Sequence, residues 1–311
     1  MRIVITGAGG FVGQSLVGAL SPKHEIVALD RICSGLFGDD IRAIEGNFAD
    51  PLILDAAIAD GCDALVHLAT VPGGAAEQDP VGAFRVNVDG SAALLDRVAA
   101  LAGTPRVIFA SSIAVFGEQL PPLVSDQTPI RPHMVYGAHK AMMEQWIATL
   151  TRRGAICGLS LRFPGIVARP PAPSGMKSAF MSNIFHAGIA HEAFVSPVSA
   201  QATMWLMSVD RLVKNLVHAL EAPFSTFGEP YALTLPAVRM DMGELVAEIA
   251  RQTGMDQALV GYEPDAALEA GFGRQPPLAT DAADTAGFAH DGSLAALVTS
   301  ALQSINLKGK L

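Results

Sequence analysis

The stretch Thr6-Gly7-Ala8-Gly9-Gly10-Phe11-Val12-Gly13 constrains the fold of this chain more than any other, because of what flanks it. Residues 2–6 form a short β-branched apolar run, and helix-like periodicity follows over residues 11–20. Glycines between a strand and a helix let the turn close, let backbone approach a ligand and let the two elements pack tightly. The helix then directs its first N–H groups at that ligand, which favours a phosphate. Gly7, Gly10 and Gly13, with Phe11 and Val12 between them, are therefore candidate cofactor contacts.

Further strand candidates lie at residues 25–29, 41–45, 64–68, 106–110 and 155–162, and helical stretches near 51–60, 81–102 and 135–153 alternate with them. Such alternation means a parallel sheet with helices on both faces. The apolar run Ala64-Leu65-Val66-His67-Leu68 suits a strand covered on both sides. After Arg162 the pattern breaks at Pro164, Pro170, Pro171 and Pro173, and a polar stretch follows from Ser174 to Asn183. A helix over 209–220 is expected to return to the first domain, and 229–311 reads as short strands and helices with a loop around 271–278. The expected fold is α/β: a Rossmann-type doubly wound parallel sheet over 1–168, with a returning segment near 204–222. A smaller, mostly C-terminal substrate-binding domain is expected over 169–203 and 223–311.

Half of the 311 residues are apolar and 16% are charged, which suits a large buried core. A net charge of −9 without a basic block argues against a nucleic-acid partner. Cys33, Cys62 and Cys157 are too few and too scattered for a disulfide framework or a metal site, which points to a reducing cytoplasm. The apolar start of the chain carries one positive charge and several turn-forming glycines, so neither a signal peptide nor a membrane span is expected. No His/Cys/Asp cluster has metal-ligand spacing, and no metal is expected.

Tyr136 and Lys140 stand four positions apart on a helix candidate and so share one face. A phenol beside an ammonium loses its proton below the usual tyrosine pKa of about 10, which makes a base for an alcohol. Ser111 and Ser112, after a buried strand candidate, supply hydroxyls for the reacting oxygen. Asp30, at the end of the second strand candidate, can accept hydrogen bonds from an adenosine ribose and repel a 2′-phosphate, favouring NAD over NADP. The competing reading of this spot is that Arg31 holds a 2′-phosphate.

With these elements in place the chain resembles the extended short-chain dehydrogenase/reductase family, which includes sugar-nucleotide epimerases and dehydratases. The resemblance covers essentially the whole chain. It is carried by the glycine loop, Leu68-Ala69-Thr70, Asn87, Ser111-Ser112-Ile113-Ala114-Val115-Phe116-Gly117, Tyr136 through Lys140, and Arg162-Phe163-Pro164. It implies that Tyr136 is the general base, that Lys140 lowers its pKa and holds the nicotinamide ribose, and that Ser112 hydrogen-bonds the reacting oxygen. Asn47 and Phe48 would meet the adenine. Leu68, Ala69, Asn87 and Pro164 would line the cofactor groove; all but Asn87 read equally well as core.

Sugar-nucleotide members carry an arginine seven residues before the Asp of the motif that here reads Thr203-Met204-Trp205-Leu206-Met207-Ser208-Val209-Asp210. Thr203 takes that place, and a hydroxyl cannot give a pyrophosphate the bidentate grip of a guanidinium. Arg239 and Arg274 are the candidates to compensate. The serine motif, Ser174-Gly175, Ser182-Asn183-Ile184 and Trp205 are similar to the branch of the family that oxidises D-erythronate to its 2-oxo acid. That similarity implies a small sugar acid as substrate, with Thr70, Ser111, Ser112, Ser174, Ser178, Asn183 and Trp205 as contacts; His133 and His186 are further candidates. The alternative is an epimerase or dehydratase with tightly bound NAD, served by the same triad. The resemblance also implies a homodimer built on the helices near 81–102 and 135–153, whose Met142, Met143, Trp146, Ile147 and Leu150 read otherwise as core.

Overall fold

The computed structural model describes residues 1–33, 35–171 and 177–308. Strands follow in chain order as β1 (Arg2–Thr6), β2 (Glu25–Asp30), β3 (Arg42–Glu45), β4 (Ala64–His67), β5 (Arg106–Ser112) and β6 (Cys157–Phe163). They continue as β7 (Gly165–Val167), β8 (Phe194–Ser196), β9 (Thr203–Ser208), β10 (Ala232–Thr234), β11 (Val238–Asp241) and β12 (Val260–Tyr262). The chain divides into two compact units, one of residues 1–115, 132–162 and 215–234, the other of 116–131, 163–214 and 235–311.

The first unit holds a seven-stranded sheet in the order β10-β6-β5-β4-β1-β2-β3. The pairings of β1 with β2 and β4, β2 with β3, β4 with β5 and β6 with β10 are all parallel. Helix Phe11–Leu20 links β1 to β2 and helix Pro51–Ile58 links β3 to β4. The latter starts cleanly because Asp50 accepts a bond from Leu52 N–H at 2.9 Å and Pro51 takes the first helical position. Val4, Val27, Leu65 and Val107 from neighbouring strands pack with Leu94, Leu95 and Ile147 from helices in one buried cluster. Burying each such side chain contributes about 1.5–3 kcal/mol. The strand order reverses between β1 and β4, and in open α/β sheets ligands bind above the strand ends at such a point.

Strand β10, from the stretch expected in the second domain, joins this sheet at the edge beside β6. Strand and helix bounds over residues 2–163 agree with the sequence reading to within a few residues, apart from the helix expected over 81–102. That run is divided into Pro80–Phe84, a π-helical turn Arg85–Gly90 and Ser91–Ala99. A separate short helix, Gly73–Gln78, precedes it.

In the second unit β9 lies between β7, parallel to it, and β11, antiparallel to it, and β8 pairs with β12. Phe180, Ile184 and Phe185 of helix Phe180–Ala190 join Leu245 and Ile249 of helix Met242–Thr253 and Leu297 of helix Leu294–Lys308 in its core. A capping box, Asp241 with Glu244, starts the middle helix, and Gly254 at φ +80° ends it. The polar stretch expected from Ser174 thus turns helical at Phe180, because Phe180, Ile184 and Ala187 recur at helical spacing and are buried. Residues 203–208, expected to begin the returning segment, are a strand of this unit, and the chain returns to the first unit over 215–234. Cys33, Cys62 and Cys157 are free thiols. Among the described residues no helix is long and apolar enough to cross a membrane.

Candidate active site

Above the switch point, the loop after β1 meets the loop after β4. Gly7 adopts φ +73°, and a Cβ built there would lie 2.7 Å from the backbone N of Ala69. Only glycine permits both the left-handed backbone and this approach. Leu68 N–H donates to Thr6 O at 3.1 Å and Ala69 N–H to Thr6 Oγ1 at 3.3 Å, so the two loops are tied together. Helix Phe11–Leu20 begins at Gly10 with no side-chain cap and no acidic residue in its first turn. A helix start with no acidic side chain in its first turn suits a pyrophosphate.

Asp30 ends β2 beside this loop, its carboxylate accepting from Gly9 N–H at 2.9 Å and Arg31 N–H at 2.6 Å. Asn47 is exposed and its side-chain oxygen accepts from Ala49 N–H at 3.0 Å. Phe48 is buried, edge-on to His67 at 5.0 Å between centroids. Leu68 and Ala69 are half-buried. The glycine cradle, the uncapped helix and the acidic end of β2 fit a dinucleotide.

Asn87 sits in the π-helical turn, a distortion that recurs at functional sites. Its side chain accepts from Val71 N–H at 2.7 Å and Thr70 Oγ1 at 3.1 Å and donates to Val71 O at 3.0 Å. It thereby clamps the loop after β4 to the following helix.

The side chains expected to act on the alcohol, Ser112, Tyr136 and Lys140, come from β5 and the helix Val135–Arg152. Ser112 ends β5, half-buried, and its oxygen accepts from Ala114 N–H at 3.1 Å, which leaves the hydroxyl proton available to another acceptor. Gly137 seats the helix on the turn after Ser112, since a Cβ there would be 2.4 Å from Ala114 O. Glu77 aims the helix start by accepting from Val135 N–H at 2.7 Å, where Met134 provides no side-chain cap. Tyr136 is half-buried and Lys140 is 2% exposed, with its Nζ 5.4 Å from the Tyr136 ring centroid and 4.5 Å from that of Phe109. Burial pushes the Lys140 amine down to about 7, against the raising effect of Glu144. The two rings offer the ammonium partial compensation.

Buried polar groups stand behind this pair. Glu144 lies one turn beyond Lys140 and accepts from Ser111 Oγ at 2.5 Å, Arg162 Nε at 2.9 Å and Arg162 Nη2 at 2.8 Å. Its side chain is 0% exposed and that of Arg162 7%. His67 bridges Thr6 Oγ1 at 2.6 Å and Ser91 Oγ at 2.8 Å, and burial, then Lys140, push it down to about 3, so the imidazole stays neutral. His139 is buried edge-on to Phe84, and burial lowers its pKa.

The structure thus brings Gly7, Gly10, Phe11, Val12, Gly13, Asp30, Leu68, Ala69, Thr70, Asn87, Ser112, Tyr136 and Lys140 to the loop ends of one sheet in the first unit. Ser111 faces inward to Glu144. Pro164, Ser178, Asn183 and Trp205 belong to the second unit. There Pro164 is buried, Ser178 is half-buried and Asn183 is exposed on helix Phe180–Ala190. Trp205 is 1% exposed and its indole N–H donates to Pro276 O at 2.7 Å, so it braces the loop at 275–276. Thr203 Oγ1 donates to Gln275 O at 2.7 Å, and Arg239 Nε donates to the same carbonyl at 2.9 Å. His186 is bound to Arg169 O at 2.8 Å and His133 is exposed. Ser174 lies outside the described residues.

Sequence reasoning passed over Glu77, Glu144 and His67. Glu144 carried a signal, being a carboxylate on the helix face that also holds Met143 and Ile147. Glu77 had none, because its partner is 58 residues away.

The chain is similar to known proteins over most of its length. The family model described as the NAD dependent epimerase/dehydratase family matches residues 3–232. A D-erythronate dehydrogenase from Cupriavidus necator is 33% identical, covering 99% of this chain and 99% of its own length. The D-erythronate dehydrogenase of Haemophilus influenzae is 31% identical over 82% of this chain and 83% of its own. A solved nucleoside-diphosphate-sugar epimerase from Agrobacterium tumefaciens is 28% identical with a TM-score of 0.87, over 96% of this chain and 92% of that one. An L-threonine dehydrogenase from Cupriavidus necator, in its holo form, shares the fold at a TM-score of 0.89 and 23% identity, over 98% of this chain and 100% of that one.

Proposed function

The chain belongs to the NAD-dependent epimerase/dehydratase family, and as a member of it we propose that it oxidises a secondary alcohol of a small sugar acid, a D-erythronate-like aldonate, to the 2-oxo acid. The chemistry that NAD would supply when bound is a hydride acceptor for the carbinol carbon. Tyr136 takes the hydroxyl proton as that carbon is oxidised. The Ser112 hydroxyl donates to the reacting oxygen, and Lys140 in its ammonium form stabilises the Tyr136 phenolate. The first-unit loops would hold the dinucleotide at the start of helix Phe11–Leu20, at Asp30 and along the Asn87-clamped loop.

One observation carries the choice of a small acid. At Thr203, where sugar-nucleotide members use an arginine, the hydroxyl is neutral and already committed to Gln275 O. The two erythronate dehydrogenases that match most of the chain support the same choice. Within the first unit, Thr70 and Ser112 are the proposed polar contacts to the substrate. The free thiols support a reducing, cytoplasmic setting.

Purified protein given NAD and a panel of four- to six-carbon aldonates is expected to produce reduced nicotinamide steadily with at least one four-carbon acid. The similarity to the sugar-nucleotide epimerase favours a second reading. Interconversion of a nucleotide sugar without net reduction, and silence on every aldonate, would replace the first reading with it.

We also propose a homodimer. Met142 and Trp146 are 45% and 38% exposed one turn apart on helix Val135–Arg152, and Val81 and Phe84 are 64% and 38% exposed on helix Pro80–Phe84. Apolar surface of this kind on adjacent turns marks an association face. Sedimentation of the wild-type chain should give twice the chain mass, and Trp146→Glu with Met142→Glu should halve it. A wild-type monomer at micromolar concentration would end this proposal.

A further inference from the structure

We infer that Glu144 is a positioning residue for the reaction, and that its buried pairing with Arg162 and Ser111 balances the charge felt by the Tyr136–Lys140 pair. The inference rests on the reading of Tyr136 as the base.

The geometry is specific. Glu144 shares a helix face with Lys140 and, one turn earlier, Tyr136, since the three stand at i, i+4 and i+8. Its carboxylate is fully enclosed and receives three hydrogen bonds, two from one guanidinium in a forked arrangement. Stability alone is a weak reason for such a pair, because apolar residues of equal volume often serve a core as well or better. Its position behind a buried amine gives it a different use: a charge there acts through a low dielectric and reaches Lys140 strongly. Glu144 is the group that holds the Lys140 ammonium up against burial.

The other charged or titratable groups around Lys140 leave this role open. On its own helix His139 is a buried imidazole whose basicity burial lowers, and on β4 His67 is neutral, held by Thr6 and Ser91. Glu77, on helix Gly73–Gln78, is engaged by Val135 N–H. Arg85, Asp89 and Asp96 on the neighbouring helical run are exposed, and Arg97 is paired with Asp55. Arg106, at the far end of β5, donates to the carbonyls of Ala219, Leu220 and Ala222. Among the described residues no carboxylate forms a salt bridge with Lys140 itself.

Removing one member of the pair should therefore shift the pair at the active site in a direction set by the charge left behind. Glu144→Gln leaves the Arg162 cation, whose charge disfavours the Lys140 ammonium and favours the phenolate, so over the alkaline range in which Lys140 is already neutral Tyr136 should ionise at lower pH. Arg162→Gln leaves the Glu144 anion, so Tyr136 should ionise at higher pH. The double variant should return close to wild type.

The chain has three tyrosines, Tyr136, Tyr231 and Tyr262. Titrating phenolate absorbance with and without saturating NAD, and subtracting the Tyr136→Phe protein, isolates Tyr136. We expect opposed midpoint shifts of about half a pH unit or more, the size of one unbalanced charge a helical turn or two away. Shifts of the same sign in both single variants, or no shift in either despite lowered Tm, would mean that the pair is only structural and overturn the inference. Should Glu144→Gln not fold, Arg162→Gln decides alone: an upward shift supports the inference and any other result rejects it. The titration needs no substrate, so a silent aldonate panel leaves it readable, and the two readings can fail separately.

Discussion

Replacing Tyr136 by Phe is expected to lower turnover about a thousandfold while leaving NAD affinity within a few-fold of wild type. General acid–base groups contribute about 10²–10⁴ to rate, and this residue is assigned the whole proton transfer from the alcohol. The ring would stay where it is, half-buried and 5.4 Å from Lys140 Nζ, because phenylalanine keeps every carbon of it. Only the oxygen is lost. The proposed dinucleotide contacts in the glycine loop, at Asp30 and around Asn87 are not touched by this change. Steady-state turnover and a calorimetric NAD titration on the same preparation test both halves. Activity within tenfold of wild type would move the base elsewhere, and a lost NAD titration would mean that the ring anchors the cofactor rather than the proton.

Gly7→Ala should be nearly as damaging by another route. At φ +73° a Cβ costs about 1–2 kcal/mol on its own. The added carbon would also lie 2.7 Å from Ala69 N and 3.0 Å from Leu68 C, which are backbone atoms of a loop tied to Thr6. The loops after β1 and β4 must then part, and a total destabilisation of about 2–4 kcal/mol follows. For a chain of this size that is a fall in Tm of roughly 5–10 °C. NAD affinity should fall tenfold or more, since the amides and the groove wall move apart together. A variant that melts within a degree or two of wild type and titrates NAD normally would show that the two loops are not held as described.

Both residues lie in stretches whose local structure is legible in the sequence. Gly7 stands in a local pattern, a β-branched strand followed by spaced glycines and an apolar helix, and local patterns survive into structure because short-range sterics make them. Tyr136, Lys140 and Ser112 were legible for the same reason, as neighbours on a helix face and the end of a buried strand. Asp30 falls at the edge of a strand, where its carboxylate meets Gly9 N–H. What the sequence hid is non-local. Residues 203–208 do lead into the expected helix, Val209–Glu221, but that they form β9 between β7 and β11 depends on partners far along the chain. Trp205 has the look of an exposed aromatic contact until Pro276 and Gln275 close around it. The start of helix Phe180–Ala190 was masked by Ser182 and Asn183, although Phe180, Ile184 and Ala187 repeat at helical spacing. Glu144 falls among apolar helix positions, but its partners Arg162 and Ser111 are distant in sequence and are brought to it only by the sheet.

The Glu77 contact at the start of the Tyr136 helix carries a consequence for hydrogen exchange. The first amides of a helix ordinarily exchange quickly, because no carbonyl of their own helix receives them. Val135 N–H is instead held by a carboxylate 58 residues earlier in the chain. Its exchange therefore tracks opening of the short helix Gly73–Gln78, not fraying of the helix to which it belongs. That single amide is a native reporter of how firmly the loop after β4 is seated, readable in the protein without altering any residue of the catalytic set.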